Sequence, residues 1–446
     1  MVTSNQKTEQ ITQQSDEPQL NWRTCWYPIA FAVDVPTDRP YGFSIFAEPF
    51  VLFKNATEDW VCLIDRCPHR LAKLSDGRIN NGRLECLYHG WQFGSELGLE
   101  GTCLHIPHLL EEAQMPKRAH AISFPVQEHQ GLVWIWADSE IPPSPKMPPI
   151  IEALETEALE ANGVFRVDTA TDLPFDHSFL VENLLDPAHV YISHDGTELN
   201  IRREDAVPLS MEILATSIEG ITGRFRRADR PQAPWTKLMF YAPMLVHYDF
   251  SNSDYNIAGG LGLYALPIAP GKSRILVRRY GNFFRKSFTL KPRWLEHLRQ
   301  NKILEEDLAF ILAQDRFFQT STRSLKSAYF PLQTCDVFVI EHRRWLDRFG
   351  KNLPWYVGFS SAKLPPGRLA QLASIPTRFE RHTQSCQACL GTYKRVMFIK
   401  QAAYVSAIAT LALALVTEGR MHIGFVACFL LAIGTVALTQ RLLAHF

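Results

Sequence analysis

The chain has 446 residues, 46% hydrophobic and 21% charged, with 46 basic and 46 acidic side chains and so no formal net charge. That length holds two or three domains with sizeable cores, and the neutral balance, without a long block of one sign, excludes wholesale nucleic-acid binding. Nine cysteines are too few for a disulfide scaffold in a chain this long; their spacing points to metal and redox chemistry in a reducing compartment.

In chain order, Met1 to Gln19 is mostly Ser, Thr, Gln and acids with Lys7 as its basic residue. This predicts a disordered tail over residues 1–20 that resembles neither a signal nor a transit peptide. From Trp22 to Trp136, short β-rich runs alternate with turn residues, among them Phe43–Phe53, Trp60–Asp65 and Gly131–Ala137. They predict an antiparallel β domain over 21–140. The Pro-rich stretch Ile141–Pro149 reads as a linker. A second domain, 150–350, opens near Phe165. It mixes strand-like runs (Tyr255–Pro267, Ser273–Tyr280) with a helical pattern from about Pro292 to Phe318, which together imply an α+β class.

A connecting segment, 351–395, carries Cys386-Gln387-Ala388-Cys389. Beyond it, Gln401–Thr417 and His422–Thr439 contain no Asp, Glu, Lys or Arg. Each would cover roughly 25–27 Å as a helix, just short of a bilayer core of ~30 Å, and Phe398, Ile399 and a snorkelling Lys400 extend the first. A transmembrane helical hairpin within 396–442 is the reading; the alternative is a buried hairpin in the core or an oligomer interface. Lys394, Arg395, Lys400 and Arg441 lie at the outer ends against Arg420 in the turn, which places the large N-terminal part on the cytoplasmic or stromal side.

Two constellations carry metal chemistry. Cys67-Pro68-His69 and Cys86-Leu87-Tyr88-His89 offer one Cys and one His from each of two short loops. A Rieske [2Fe–2S] centre needs this set, two thiolates on one iron and two imidazoles on the other. A structural zinc site would favour C-x₂₋₄-C and H-x₃₋₅-H spacing instead. Cys62 and Cys103, nearby in sequence, read as buried thiols.

The second constellation is Asp186-Pro187-Ala188-His189 running on to His194. A mononuclear Fe(II) centre that activates O₂ uses two His and one carboxylate on one face of the metal. Five helical steps would put His189 and His194 about 140° apart, so the helix has to bend, bulge or end before His194. Asp186 has two compatible roles: helix N-cap with Pro187 in the first helical position, or acceptor of a ligating histidine's second N–H and electron relay. The third ligand has to come from a distant carboxylate. Asp307 and Asp315 both lie on apolar faces of the late helix, and periodicity does not choose between them.

The two motifs, in this order and separation, resemble the catalytic subunits of Rieske oxygenases. That resemblance covers roughly Trp22 to Trp345. It implies an N-terminal antiparallel Rieske domain, a helix-grip catalytic domain and a head-to-tail homotrimer in which Asp186 bridges the cluster of one subunit to the iron of its neighbour. Glu306-Asp307 followed by Gln314 matches the family pattern and selects Asp307 as the expected ligand. Trp26-Tyr27-Pro28, the stretch Asp65 to Ala72 and Glu182 to His189 narrow the likeness to the pheophorbide a oxygenase branch. Members of that branch end in C-x-x-C and two membrane helices.

By itself the Cys386/Cys389 pair reads as a redox switch open to a thioredoxin-like partner, as half a metal site, or as two unremarkable thiols. Gly260-Leu261-Gly262 lies in a β-like run and is no nucleotide fingerprint. Electrons are therefore expected from a ferredoxin or ferredoxin-type reductase. The expected substrates are O₂ and a hydrophobic ring, by resemblance a chlorophyll-derived tetrapyrrole such as pheophorbide a. The competing readings are another lipophilic substrate, or a membrane redox sensor or translocon component with little turnover.

Overall fold

The computed structural model describes residues 17–96, 99–143, 147–155, 163–197, 201–252, 254, 256–282, 291–360 and 375–446. Most of the expected tail (1–20), part of the linker and residues 361–374 of the connecting segment lie outside them. The described parts of 141–149 carry neither helix nor strand.

In the N-terminal part, strands β1 (Trp26–Phe31), β2 (Tyr41–Ile45), β3 (Glu48–Lys54), β4 (Trp60–Ile64), β5 (Arg78–Asn80), β6 (Arg83–Glu85), β7 (Gln92–Glu96), β8 (Leu99–His105), β9 (Ser123–Phe124), β10 (Val126–His129) and β11 (Leu132–Trp136) form three antiparallel sheets. Their orders are β1-β11-β10, β2-β3-β4-β9 and β5-β6-β7-β8. Phe43–Phe53, which the pattern suggests is one strand, is a hairpin. Its turn falls on Phe46 and Ala47, both with left-handed φ (47° and 64°). No Gly or Asn announces that turn, and it is held from outside: the Phe46 and Ala47 amides donate to Pro267 O and Ile268 O at 2.7 and 2.8 Å.

Those carbonyls belong to the second sheet system. Strands β12 (Phe165–Leu173), β13 (Leu209–Ser217), β14 (Gly220–Arg227), β15 (Thr236–Tyr241), β16 (Leu245–Asp249), β17 (Gly259–Ala269) and β18 (Lys272–Gly281) form one antiparallel sheet ordered β12-β18-β17-β16-β15-β14-β13. Gly260 and Gly262 sit inside β17. A Cβ on Gly260 would stand 2.3 Å from Tyr248 O, so the glycine permits close strand packing. Helices α1 (His177–Leu184), α2 (Val190–Ser193), α3 (Arg293–Thr320), α4 (Leu325–Ala328) and α5 (Val337–Phe349) follow or interrupt the sheet. Pro292 is the N-cap of α3 rather than its first residue.

One apolar core joins the β1-β11-β10 sheet to the large sheet and helices, with Trp134 edge-on to Tyr264 at 5.8 Å. A second, smaller core under the β5–β8 sheet contains Cys67, Cys86 and Cys103, and Cys62 lies in the larger core. Finally, α6 (Gln387–Val416) and α7 (Gly419–Leu443) pack antiparallel. Both are longer than the uncharged stretches, and both are long and apolar enough to cross a membrane. Only 17% and 6% of their most apolar windows are buried, so the hairpin is not a core element of this chain.

Candidate metal centres

The β4–β5 and β6–β7 connections carry the first centre. In the first loop the Cys67 amide donates to Ala72 O and the Leu71 amide to Cys67 O, both at 2.8 Å; in the second, the Cys86 amide donates to Trp91 O and the Gly90 amide to Cys86 O, both at 2.9 Å. Gly90 has φ +72°, a conformation that favours glycine. Asp65 pins the first loop by accepting from the Ser75 amide (2.7 Å) and hydroxyl (2.6 Å).

The four side chains sort two by two. The Cys67 and Cys86 thiols lie against one another in the small core, and burial pushes the Cys67 thiol up to about 12. A metal ion bound there would supply the positive charge that a buried thiolate needs. The His69 and His89 rings meet edge to face at 4.4 Å, and Trp91 stacks on His69 at 4.8 Å. Both rings are only partly buried, beside the exposed side chains of Leu71, Leu87 and Tyr88. A buried sulfur pair and a near-surface imidazole pair fit a cluster whose irons have different ligands.

The second centre is assembled from α1, α2 and α3. The turn of helix after His189 is only four residues long, with His189 at its N-cap and His194 at its C-cap. The helix ends where the spacing requires, and both rings turn toward α3. Asp307 Oδ2 lies 3.4 Å from His189 Nε2 and 3.3 Å from His194 Nε2. Such edges suit three ligands on one face of an octahedron, where neighbouring donors stand ~3 Å apart. Asp315 is elsewhere: fully buried, it accepts the Asp176 amide at 3.0 Å.

Glu306, beside Asp307, accepts from His194 Nδ1 at 3.0 Å and also holds the Thr197 hydroxyl. That bond leaves the Nε2 lone pair facing Asp307. Asn183 lies 3.4 Å from Asp307 Oδ2 and 3.5 Å from His189 Nε2. Burial lowers the His189 pKa, but the Asp186 and Asp307 carboxylates outweigh it and raise it to about 10. The same pairing holds the Asp307 carboxyl well below the usual range despite its burial.

Asp186 Oδ1 accepts the Ala188 amide at 2.8 Å and the His189 amide at 3.3 Å, while Oδ2 stands 3.6 Å from His189 Nδ1. It therefore caps the turn into α2. Pro187 is not a first helical residue, because the helix begins only at Val190.

The centre opens onto a pocket of about 330 Å³, walled by Phe310, Ile311, Val339 and Ile340 and rimmed by Phe330. Phe310 and Phe330 are 62% and 90% exposed. Beneath it, the fully buried Arg343 guanidinium pairs with Glu182, and Glu182 also accepts the Tyr329 hydroxyl at 2.9 Å. Sequence reasoning did not find this support; a Glu on an apolar helix directly before the Asp186 motif was its one signal.

Cys386 and Cys389 lie elsewhere again. Cys386 is the N-cap of α6 and Cys389 is in its first turn, so the pair begins the hairpin's first helix rather than preceding it.

Comparison with known proteins agrees with this anatomy. Residues 25–117 match the Rieske [2Fe–2S] domain family model and residues 240–324 the pheophorbide a oxygenase family model. The chain is 35% identical to the chloroplastic protein TIC 55 of Arabidopsis thaliana, over 90% of this chain and 78% of that one. It is 31% identical to pheophorbide a oxygenase of Oryza sativa, over 87% and 76% respectively. The crystal structure of dicamba monooxygenase bound to dicamba shares the fold, with a TM-score of 0.57 over 73% of this chain and 96% of that one at 21% identity.

A helix-grip sheet behind a Rieske domain, with a [2Fe–2S] cluster and a mononuclear iron as cofactors, defines a Rieske non-haem iron oxygenase. Within that class the chain belongs to the pheophorbide a oxygenase family.

Proposed function

We propose that the enzyme oxygenates a chlorophyll-derived tetrapyrrole of the pheophorbide a type, drawing electrons from a ferredoxin or ferredoxin-type reductase. One observation carries this reading: the His189, His194 and Asp307 donor atoms converge beside an open pocket whose lining mixes Phe310, Ile311, Val339 and Ile340 with Asn183, Ser193 and Gln314. A redox sensor has no use for an open metal face. The exposed rings of Phe310 and Phe330 at the mouth suit a flat ring too large to be enclosed, and the 31% identity to pheophorbide a oxygenase supports the substrate class.

Cys67, His69, Cys86 and His89 would hold the cluster, and His189, His194 and Asp307 the iron. Iron so held supplies O₂ activation, with the cluster as electron store. The chain's own groups prepare that chemistry. Glu306 fixes the His194 tautomer and Asn183 braces the Asp307 carboxylate, while Phe310, Ile311, Val339 and Ile340 offer the pocket's apolar contacts. Asp186, within reach of His189 Nδ1, would hold the proton there and link the iron to an incoming electron.

On this reading, Asp186→Asn keeps cluster and iron content unchanged. It slows substrate-dependent reoxidation of the reduced cluster by about 10–100-fold, as read by stopped-flow absorbance. A variant as fast as the parent would remove Asp186 from electron delivery.

We read the chain as a Rieske unit (21–140), a catalytic unit (150–350) and a membrane hairpin, with the catalytic side cytoplasmic or stromal as the outer lysines and arginines suggest. A homotrimer fits the exposed Leu71, Leu87, Tyr88 and Leu110 near the cluster, a surface suited to a neighbouring subunit. Thioredoxin exchange at Cys386 and Cys389 would first need local opening, because both sulfurs are buried.

The deciding assay incubates the full chain in detergent with ferredoxin, its reductase and isotopically labelled O₂ against tetrapyrroles of chlorophyll breakdown and synthesis. Label in the pheophorbide a product is the expected result. A reducible Rieske spectrum without tetrapyrrole-dependent O₂ uptake would shift the reading to another lipophilic ring or to the sensor.

A further inference from the structure

Around the C-x-x-C pair the fold gathers a second half that the sequence leaves scattered. His297 comes from the second turn of α3, and His382 from a π-helical turn at Phe379–Thr383. Cys386 and Cys389 come from the start of α6. One donor atom from each of the four lies within 4.8 Å of the others. His297 Nδ1 is 3.3 Å from Cys386 Sγ and 3.5 Å from Cys389 Sγ, and His382 Nε2 is 3.2 Å from Cys389 Sγ. A tetrahedron with metal–sulfur bonds of about 2.3 Å and metal–nitrogen bonds of about 2.05 Å has sulfur–nitrogen edges of about 3.5 Å.

The outer contacts point the same way. His297 Nε2 lies 2.9 Å from Asp168 O and His382 Nδ1 lies 2.6 Å from Ala170 O, both carbonyls being on β12. A carbonyl accepts only, so each ring carries its proton on that side and turns a lone pair toward the thiols. Metal-bound histidines are oriented this way. The π-turn is itself fixed, because Arg378 and Arg381 both grip Glu305 on α3. All four residues are at most 4% exposed. Two thiolates and a divalent ion sum to zero charge, which tolerates that burial. A helix N-terminus also favours thiolate at Cys386 and Cys389.

We propose that His297, His382, Cys386 and Cys389 form a closed Cys₂His₂ zinc site, distinct from both iron centres, that staples the membrane hairpin to the catalytic domain. Binding converts two thiols to thiolates and releases two protons, with no change of oxidation state. Closed four-ligand sulfur–nitrogen sites are structural, since no position is left for water or substrate. The staple acts on the same helix that carries Asp307. His297 and Asp307 are ten residues apart on α3, or about 15 Å along its axis.

The test is metal analysis of the full chain, purified without a histidine tag in detergent under reducing conditions. Because zinc in the Rieske loops would also give a Cys₂His₂ shell, labile sulfide is measured in the same sample. Expected are about one zinc and about two sulfides per chain, and a zinc absorption-edge spectrum showing two sulfurs at ~2.3 Å and two nitrogens at ~2.0 Å. The His382→Ala and Cys389→Ser variants should lose at least tenfold of the zinc while keeping the Rieske absorbance, which reports that the chain has folded. Should either variant fail to fold, the wild-type edge spectrum decides alone. Zinc below about a tenth per chain, a shell lacking sulfur, zinc unaltered in the folded variants, or a Cys386–Cys389 disulfide found by mass spectrometry would each overturn the proposal.

Discussion

Asp307→Ala is expected to abolish tetrapyrrole-dependent O₂ uptake, by a factor of at least ~10³, while leaving the Rieske spectrum intact. The carboxylate faces His189 and His194, the two proposed ligands, at 3.3–3.4 Å, and two neutral imidazoles alone hold ferrous iron poorly. Iron analysis should fall from about three to about two atoms per chain. Asp315→Ala is the matched control. Its carboxylate accepts a buried backbone amide 3.0 Å away, so its loss should cost about 1–3 kcal/mol of stability and leave the iron count unchanged. If the two variants exchanged phenotypes, the ligand assignment would be reversed.

Arg343→Ala is expected to be the most destabilising single change near the pocket, by about 3–5 kcal/mol, because it leaves Glu182 as an unpaired buried charge. Arg343 is fully buried, pairs with Glu182 and donates to Val357 O at 2.9 Å. Replacing both partners by apolar residues of similar volume, Glu182→Leu with Arg343→Met, should recover most of that loss. Thermal loss of the Rieske absorbance measures both. Recovery of stability without recovery of activity would show that the pair also places α1, and with it Asn183, against the iron. A destabilisation below about 1 kcal/mol for Arg343→Ala would mean that Glu182 is protonated or reached by water.

How much of this was legible in the sequence depended on how local each feature is. The Rieske loops were readable because all four candidate ligands fall within Cys67–His89, and each loop closes on its own backbone hydrogen bonds. The histidine pair was readable with its constraint, that the helix bend, bulge or end before His194, and the structure takes the last of these. The choice between Asp307 and Asp315 was not readable from periodicity, because both point inward from α3. The fold separates them: Asp307 faces both histidines, whereas Asp315 accepts the Asp176 amide. The Phe46–Ala47 turn was hidden because its left-handed conformation is held by β17, far along the chain, and not by turn residues. His297 was hidden for the same reason: nothing near it in sequence marks it, and it meets His382 and the two cysteines only when α3 lies across β12. His382, four residues before Cys386, was the local trace of that cluster.

The first hairpin helix has no break between Cys386 and Val416. Its first fourteen residues, up to Lys400, precede the uncharged stretch and run about 20 Å along the helix axis, the first turns packed against Trp294, Leu298 and Phe446. Were α6 and α7 seated in a bilayer, the catalytic body would be tied to both of them, to the start of α6 at Cys386–Tyr393 and to the end of the chain at Phe446, which packs against Trp294 and accepts from the Thr383 hydroxyl. A body tied at two points would not swivel freely about either helix. A lipid-borne substrate would then meet the pocket mouth at one height and from one side.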